Sequence, residues 1–194
     1  MIKTTIKNTP VYIIDNAVPK PYLDNIQKWL KHKASFRNCY KESQQSKHVH
    51  FGMPITQGML QQEFQLHNWF TNILTQYQPR ATLTQVKDAH IPVFSKGSKP
   101  VLHRDFDNVN EETFFVACTL FLNPDDKDKN SGLFIEETYF NNAYNRMIVH
   151  SGHLNHKVRV PDNDSLRITL DIHVSNAIMQ TNQTYENSFM TFVK

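Results

Sequence analysis

The sequence predicts a mainly β fold with N-terminal helices, in which the strands form an antiparallel sandwich or barrel. Two observations predict this fold. From about residue 81 the apolar pattern has a period of two, and turn-forming clusters at 124–131 and 161–164 separate short strands. Before residue 81 the pattern has a period of 3.6 in two segments. The chain has 194 residues, of which 39% are hydrophobic and 20% charged, and this composition favours one globular domain.

The N-terminal third is predicted to contain one strand and two helices that support the sheet. Residues 11–14 are a short β-branched run, typical of an opening strand. Lys20 and Pro21 begin the first helix, because proline is tolerated in a first turn. Residues 41–57 are polar and irregular, which predicts a surface loop. The second helix is expected over residues 59–77.

The rest of the chain is predicted to be rich in strands. The expected strands cover residues 83–94, 114–122, 132–138, 146–150, 156–160 and 166–174. We therefore expect a single domain over residues 1–194, with an N-terminal strand and supporting helices in 1–80, a β core in 81–175 and a C-terminal extension in 176–194.

Charge and cysteine content exclude several classes of protein. The formal net charge is +3, and the 21 basic and 18 acidic residues are spread along the chain, so there is no clear nucleic-acid signal. The two cysteines, Cys39 and Cys118, form no CxxC pair, which favours a reducing compartment. No apolar run approaches the length that spans a bilayer. We expect a cytoplasmic protein without a membrane partner, and the oligomeric state is left open.

A histidine and an aspartate two residues apart, His103 and Asp105, form the first part of a candidate metal site. In an extended segment their side chains project from the same face. A third ligand is available about 50 residues later, where His150, His153 and His156 lie close together. Two histidines and one carboxylate on one side of an ion form the facial triad of non-haem iron(II) oxygenases. The pattern therefore favours an iron(II) site.

An arginine on the last predicted strand suggests a cosubstrate. Arg167 follows His156 by 11 residues, and Thr169 lies on the same face of that strand. A guanidinium group binds a carboxylate through two parallel hydrogen bonds. We expect a dicarboxylic keto acid that chelates iron at one end and meets Arg167 and Thr169 at the other.

These segments, over about residues 83–175, resemble the iron(II) and 2-oxoglutarate-dependent dioxygenases, most closely their prolyl 4-hydroxylase-like branch. The matching motifs, in chain order, are the aromatic and glycine of Phe94-Ser-Lys-Gly97, the HxD of His103-Arg-Asp105, the strand and turn of Thr119-Leu-Phe-Leu-Asn123 with an acidic loop and Gly132 after it, the block from Asn145 to His156, and Arg167-Ile-Thr169. The resemblance implies a double-stranded β-helix, or jelly-roll, with two supporting α-helices. It also implies Fe(II), 2-oxoglutarate and O2 as cofactors, with ascorbate as a reductant.

The resemblance further implies which residues hold these groups. His103, Asp105 and His156 would be the metal ligands and so the catalytic residues; His156 is chosen by its spacing and by the Lys-Val after it, with His153 as the next choice. Arg167, Thr169, Thr119, Phe94 and Phe121 would surround the cosubstrate. Relatives often carry a tyrosine that binds the far carboxylate, whereas Phe94 and Phe121 have no hydroxyl group.

The implied activity is hydroxylation of an unactivated C–H bond in a peptidyl or small-molecule substrate, with release of succinate and CO2. The carboxylate of Asp105 favours a hydroxylase over a halogenase. Two alternatives remain: a non-catalytic jelly-roll binding module that retains a metal site, and a cupin-type dioxygenase that uses no 2-oxoglutarate. His90 and His173 are expected to be ordinary hydrogen-bonded residues of the sheet. The substrate-contacting loops are expected at 41–57, 106–113 and 139–145.

Overall fold

The computed structural model describes residues 1–43, 46–66, 70, 85–106, 115–123, 130–175 and 191–192. Within them lies one α-helix, α1, at Lys20–His32. The strands are β1 Ile2–Ile6, β2 Thr9–Ile14, β3 Arg37–Ser43, β4 Ser46–Pro54, β5 Gln85–Phe94, β6 Phe115–Phe121, β7 Gly132–Ile135, β8 Thr138–Asn141, β9 Met147–Ser151, β10 His156–Arg159, β11 Arg167–Ser175 and β12 Thr191–Phe192.

The strands form two antiparallel sheets. The large sheet has nine strands in the order β1-β2-β9-β6-β11-β5-β4-β3-β12, and the small sheet has three in the order β10-β7-β8. Neighbours in the large sheet are often distant in sequence, as in β9-β6-β11-β5. Strands that pair in this way build the predicted jelly-roll, because a sandwich must bring non-consecutive strands together.

The two faces of the large sheet differ in character. On β11, Ile168, Leu170, Ile172 and Val174 pack into the main apolar core, which α1 covers with its buried face of Leu23, Ile26 and Trp29. The alternate residues of β11 point to the opposite face, because side chains alternate along a strand. That opposite face carries the candidate site described below.

The prediction of a surface loop at 41–57 is wrong, since most of this segment lies in β3 and β4. These strands pair with each other, and β4 pairs with β5 from Phe51 to Pro54. Strand pairing uses backbone groups, so a polar sequence without an apolar face can still extend a sheet. Strand β1 was not predicted from the sequence. The single strand expected at 132–138 is instead a hairpin of β7 and β8, and its turn contains Glu136, which has a positive φ of 51°.

The second predicted helix, at 59–77, is not continuous. Met59–Glu63 form one π-helical turn, and Gln65 then has a φ of 56°, which no right-handed helix accommodates. Helical structure resumes at Phe70, whose N–H donates to the Leu66 carbonyl at 2.9 Å. Residues 67–69 and 71–77 of the prediction lie outside the described residues. No helix in the described part of the chain is both long and apolar enough to cross a membrane.

Candidate metal centre

Three side chains converge between the two sheets: His103, Asp105 and His156. Their potential ligand atoms all lie within 4.8 Å of one another. Asp105 Oδ1 is 3.6 Å from His103 Nε2 and 3.4 Å from His156 Nε2. One carboxylate oxygen therefore faces both imidazoles, as a shared ion requires.

Backbone hydrogen bonds bring these residues together. His103 and His156 exchange both bonds of an isolated antiparallel bridge, at N···O distances of 3.0 and 2.8 Å. The N–H groups of Asp105 and Phe106 both donate to the carbonyl of Gly152, at 3.0 and 3.2 Å. His103 and Asp105 were expected in an extended strand. In the structure only His103 forms a β-bridge, and the chain bends at Asp105. This bend is held by the loop that precedes β10.

Each histidine is oriented by a hydrogen bond on its other ring nitrogen. His103 Nδ1 lies 2.9 Å from the Val101 carbonyl, and His156 Nδ1 lies 3.2 Å from the Leu154 carbonyl. A carbonyl only accepts, so each Nδ1 carries the proton and donates it. The Nε2 atoms are left to bind an ion, which is the arrangement expected of histidine metal ligands.

The electrostatics of the centre favour an ionised carboxylate. Burial raises the pKa of Asp105, but the positive charge of the surrounding histidines His173, His156 and His103 outweighs burial and holds that pKa well below 3.8. Burial lowers the pKa of His156, and the Asp105 carboxylate reverses this and raises it above 6.5. A divalent cation would replace the proton that Asp105 attracts to His156.

The two other candidate distal ligands have different surroundings. His153 Nδ1 lies 3.0 Å from the Phe106 carbonyl, and its ring packs edge-on against Phe106. His150 is only 2% exposed and its ring centroid lies 5.0 Å from that of His156. Burial lowers the pKa of His150 to about 3, so this imidazole is neutral. The structure thus places His156, and not His153, beside Asp105.

A cavity extends from the metal centre along β11 toward Arg167. Arg167 is fully buried, and its guanidinium carbon lies 5.5 Å from the ring centroid of Phe94 and 5.1 Å from that of Phe121. Arg167, Phe94 and Thr119 line the cavity. Thr169 and Phe121 are fully buried, and they are not among the described residues that line it.

Three polar residues of the cavity, His90, Asp171 and His173, were not predicted at the site; His90 and His173 were expected only as residues of the sheet. His173 Nε2 lies 3.5 Å from Asp105 Oδ2, and His90 Nε2 lies 3.8 Å from Asp171 Oδ2. A signal was available: Asp171 and His173 follow Arg167 by four and six residues, so all three share one face of β11.

The centre suits iron(II). It offers two imidazole nitrogens and one carboxylate oxygen from one side, which is the donor set of the facial triad. The hydrogen bonds of both imidazoles already fix the tautomer in which Nε2 can bind an ion. Asp105 Oδ2 is buried and has no hydrogen-bond partner within the described residues. A bound cation would stabilise this carboxylate, which is costly to bury unneutralised.

The fold is that of the iron(II) and 2-oxoglutarate-dependent oxygenases, as comparison with solved structures shows. A viral collagen prolyl hydroxylase from Paramecium bursaria Chlorella virus-1 is 11% identical, with a TM-score of 0.62 over 86% of this chain and 96% of that one. An oxidoreductase of the 2OG-Fe(II) oxygenase family from Burkholderia pseudomallei is 15% identical, with a TM-score of 0.62 over 85% and 84%. A non-heme alpha-ketoglutarate-dependent carbocyclase from nogalamycin biosynthesis is 12% identical, with a TM-score of 0.63 over 86% and 79%.

No protein-family model matches the sequence, and no curated protein matches it. The comparison with solved structures confirms, at the level of the fold, the resemblance that was inferred from the sequence motifs.

Proposed function

We propose that this protein is an Fe(II)- and 2-oxoglutarate-dependent oxygenase that hydroxylates a C–H bond of a peptidyl or small-molecule substrate. One observation carries the proposal: His103, Asp105 and His156 present three ligand atoms within 4.8 Å of one another at one end of a cavity that Arg167 also lines. When bound, iron(II), 2-oxoglutarate and O2 supply the oxidation, which yields succinate, CO2 and a hydroxylated product.

The protein's own residues have separable tasks in this reaction. His103 and His156 hold the metal through Nε2, and their Nδ1–H groups, bound to backbone carbonyls, prevent the rings from turning. Asp105 supplies the negative ligand and is ionised at any physiological pH, because its pKa is well below 3.8. Three protein ligands leave the remaining positions of the ion for the cosubstrate and oxygen.

Arg167 is proposed to bind the far carboxylate of 2-oxoglutarate. Its guanidinium group lies between two apolar rings, Phe94 and Phe121, where water competes weakly for its hydrogen bonds. Thr119 lines the same cavity and offers a hydroxyl group. These contacts would take the place of the tyrosine that relatives often carry. Thr169 is buried outside the cavity lining, so its contribution to cosubstrate binding would be indirect.

The experiment is a metal-binding and turnover assay. The purified protein with Fe(II), ascorbate and 2-oxoglutarate should release succinate in the absence of substrate, and Asp105→Ala should abolish both this release and Fe(II) binding. Asp162→Ala is the matched control, because Asp162 is an exposed carboxylate whose partner is Arg159 at 3.7 Å. No Fe(II) uptake by the unsubstituted protein would refute the proposal and leave a non-catalytic binding module.

The same assay separates a cupin-type dioxygenase from the proposed enzyme. Such an enzyme would bind Fe(II) but would neither bind 2-oxoglutarate nor release succinate from it. The likeness to a collagen prolyl hydroxylase and to a carbocyclase from nogalamycin biosynthesis supports either a peptide or a small molecule as substrate.

A further inference from the structure

The cavity floor consists of two rows of side chains that run across neighbouring strands. One row is His173, Ala117 and His150, from β11, β6 and β9. The metal ligands contact both ends of this row, since Asp105 lies against His173 and the ring of His156 against that of His150. The small side chain of Ala117 leaves space between the two imidazoles.

The next row toward Arg167 is His90, Asp171 and Thr119. Asp171 Oδ1 is buried and has no hydrogen-bond partner among the residues that the structure describes. Its other oxygen lies 3.8 Å from His90 Nε2, which is longer than a hydrogen bond. Asp171 thus presents an acceptor to the cavity that the fold does not satisfy.

His150 presents a second acceptor. Its Nδ1 lies 2.9 Å from the Ser151 carbonyl, which can only accept, so Nδ1 carries the ring proton. Nε2 therefore has a lone pair and no hydrogen, and within the described part of the chain this buried atom has no partner. Buried polar atoms in native proteins are normally hydrogen-bonded, so both acceptors call for a ligand that donates.

The charges of the loaded site also point to a cation. Iron(II) balances the two charges of the dicarboxylate, and Arg167 balances Asp105. The carboxylate of Asp171 remains, and the titratable group that the structure places nearest to it is the His90 imidazole, whose Nε2 lies 3.8 Å from Oδ2. The Asp171 side chain is only 18% exposed, and a charge that is largely removed from water is normally paired with a positive group.

We propose that this acceptor-lined half of the cavity binds the substrate, and that the substrate carries a guanidinium or ammonium group held by Asp171. The inference rests on the proposed function, because the charge balance assumes bound iron and 2-oxoglutarate. Asp171 and His150 are one row and two strands apart, so their Cα atoms are separated by about 12 Å. His150 Nε2 therefore accepts from a different group of the substrate, such as an amide N–H or a hydroxyl. A basic amino-acid residue has both groups at a suitable separation.

The experiment measures binding without turnover. The protein is loaded with Zn(II) and 2-oxoglutarate, and these two affinities are recorded first. Calorimetric titration then compares Nα-acetyl-L-arginine amide with Nα-acetyl-L-citrulline amide, its uncharged analogue of nearly equal shape. The arginine probe should bind at least tenfold more tightly. Asp171→Asn should reduce this preference below threefold, and His150→Phe should weaken both probes to the same extent.

Asp164→Asn is the matched control, because Asp164 is exposed, and it should leave the preference unchanged. Equal affinity for the two probes in the unsubstituted protein, or no binding of either, would overturn the inference whether or not the variants fold. A full preference for the arginine probe in Asp171→Asn would also overturn the inference. Failure of the proposed function is distinguished by the first step, in which Zn(II) or 2-oxoglutarate itself would not bind.

Discussion

Replacing Arg167 with methionine tests how the cosubstrate is held. The substitution keeps a long, flexible side chain between Phe94 and Phe121 and removes only the guanidinium group. Arg167 is 0% exposed, and the two rings lie 5.5 and 5.1 Å from its guanidinium carbon, so water has little access to replace it. The far carboxylate of 2-oxoglutarate would then lie in an apolar pocket without its charge partner.

The size of the effect follows from the number of bonds lost. A bidentate guanidinium–carboxylate pair makes two charge-assisted hydrogen bonds, and each contributes about 1.5–3 kcal/mol. A loss of about 3–6 kcal/mol corresponds to a Kd for 2-oxoglutarate that rises by a factor of about 100 to 20,000, since about 1.4 kcal/mol is tenfold.

The assay is calorimetric titration of the Zn(II)-loaded protein with 2-oxoglutarate and with 2-oxobutyrate, which has the same keto-acid end and no far carboxylate. Only 2-oxoglutarate should lose affinity in Arg167→Met. Arg159→Met is the control, because the side chain of Arg159 is 41% exposed and lies outside the cavity lining. A less than threefold change for 2-oxoglutarate, or an equal loss for both ligands, would refute the assignment of Arg167.

Two further predictions concern stability. A Cβ atom on Gly152 would overlap the Phe115 ring, so Gly152→Ala should lower the free energy of unfolding by about 1–3 kcal/mol and weaken Fe(II) binding. Gly58→Ala should do neither, because a Cβ atom there would meet only the Thr56 hydroxyl, at an ordinary contact distance of 3.8 Å. Urea denaturation measures the stability, and metal titration measures the binding. His150 has a pKa of about 3 when folded and 6.5 when unfolded, so the unfolded chain binds the extra proton and stability falls as pH drops below 6.5. Between pH 7 and pH 5 this group should cost about 2 kcal/mol, and urea denaturation of His150→Leu should lack that part of the pH dependence; an identical slope in both proteins would contradict the assignment.

The sequence was informative about the fold wherever one face of an element is buried. On β11 the apolar residues recur with a period of two, and on α1 with a period of 3.6, so both were predicted within a few residues. Prediction failed at β3 and β4, because these strands pair through their backbones without a continuous apolar pattern. It also failed at Gln65, whose positive φ interrupts the second helix.

The candidate site was predictable in its residue types and less so in its arrangement. The HxD spacing of His103 and Asp105 identified two of the three candidate ligands from the sequence alone. The choice among His150, His153 and His156 depended on the resemblance to a family, because three histidines within seven residues offer the same chemistry. The structure distinguishes them through the bridge that joins His103 and His156 and through the carbonyl that faces His153.

The order of residues is sufficient to predict a strand-rich domain with an HxD pair, a distal histidine and an arginine at matching intervals. The strand pattern and the intervals between these residues are local features of the chain, so they can be read directly from the order of residues. The convergence of His90, His150, Asp171 and His173 around the candidate centre comes from the tertiary structure. They come from three strands whose neighbours in the sheet are far away in the chain, and the order of those strands is set by how the whole sheet pairs and packs. The histidines that line the cavity therefore differ in role according to their position in the fold.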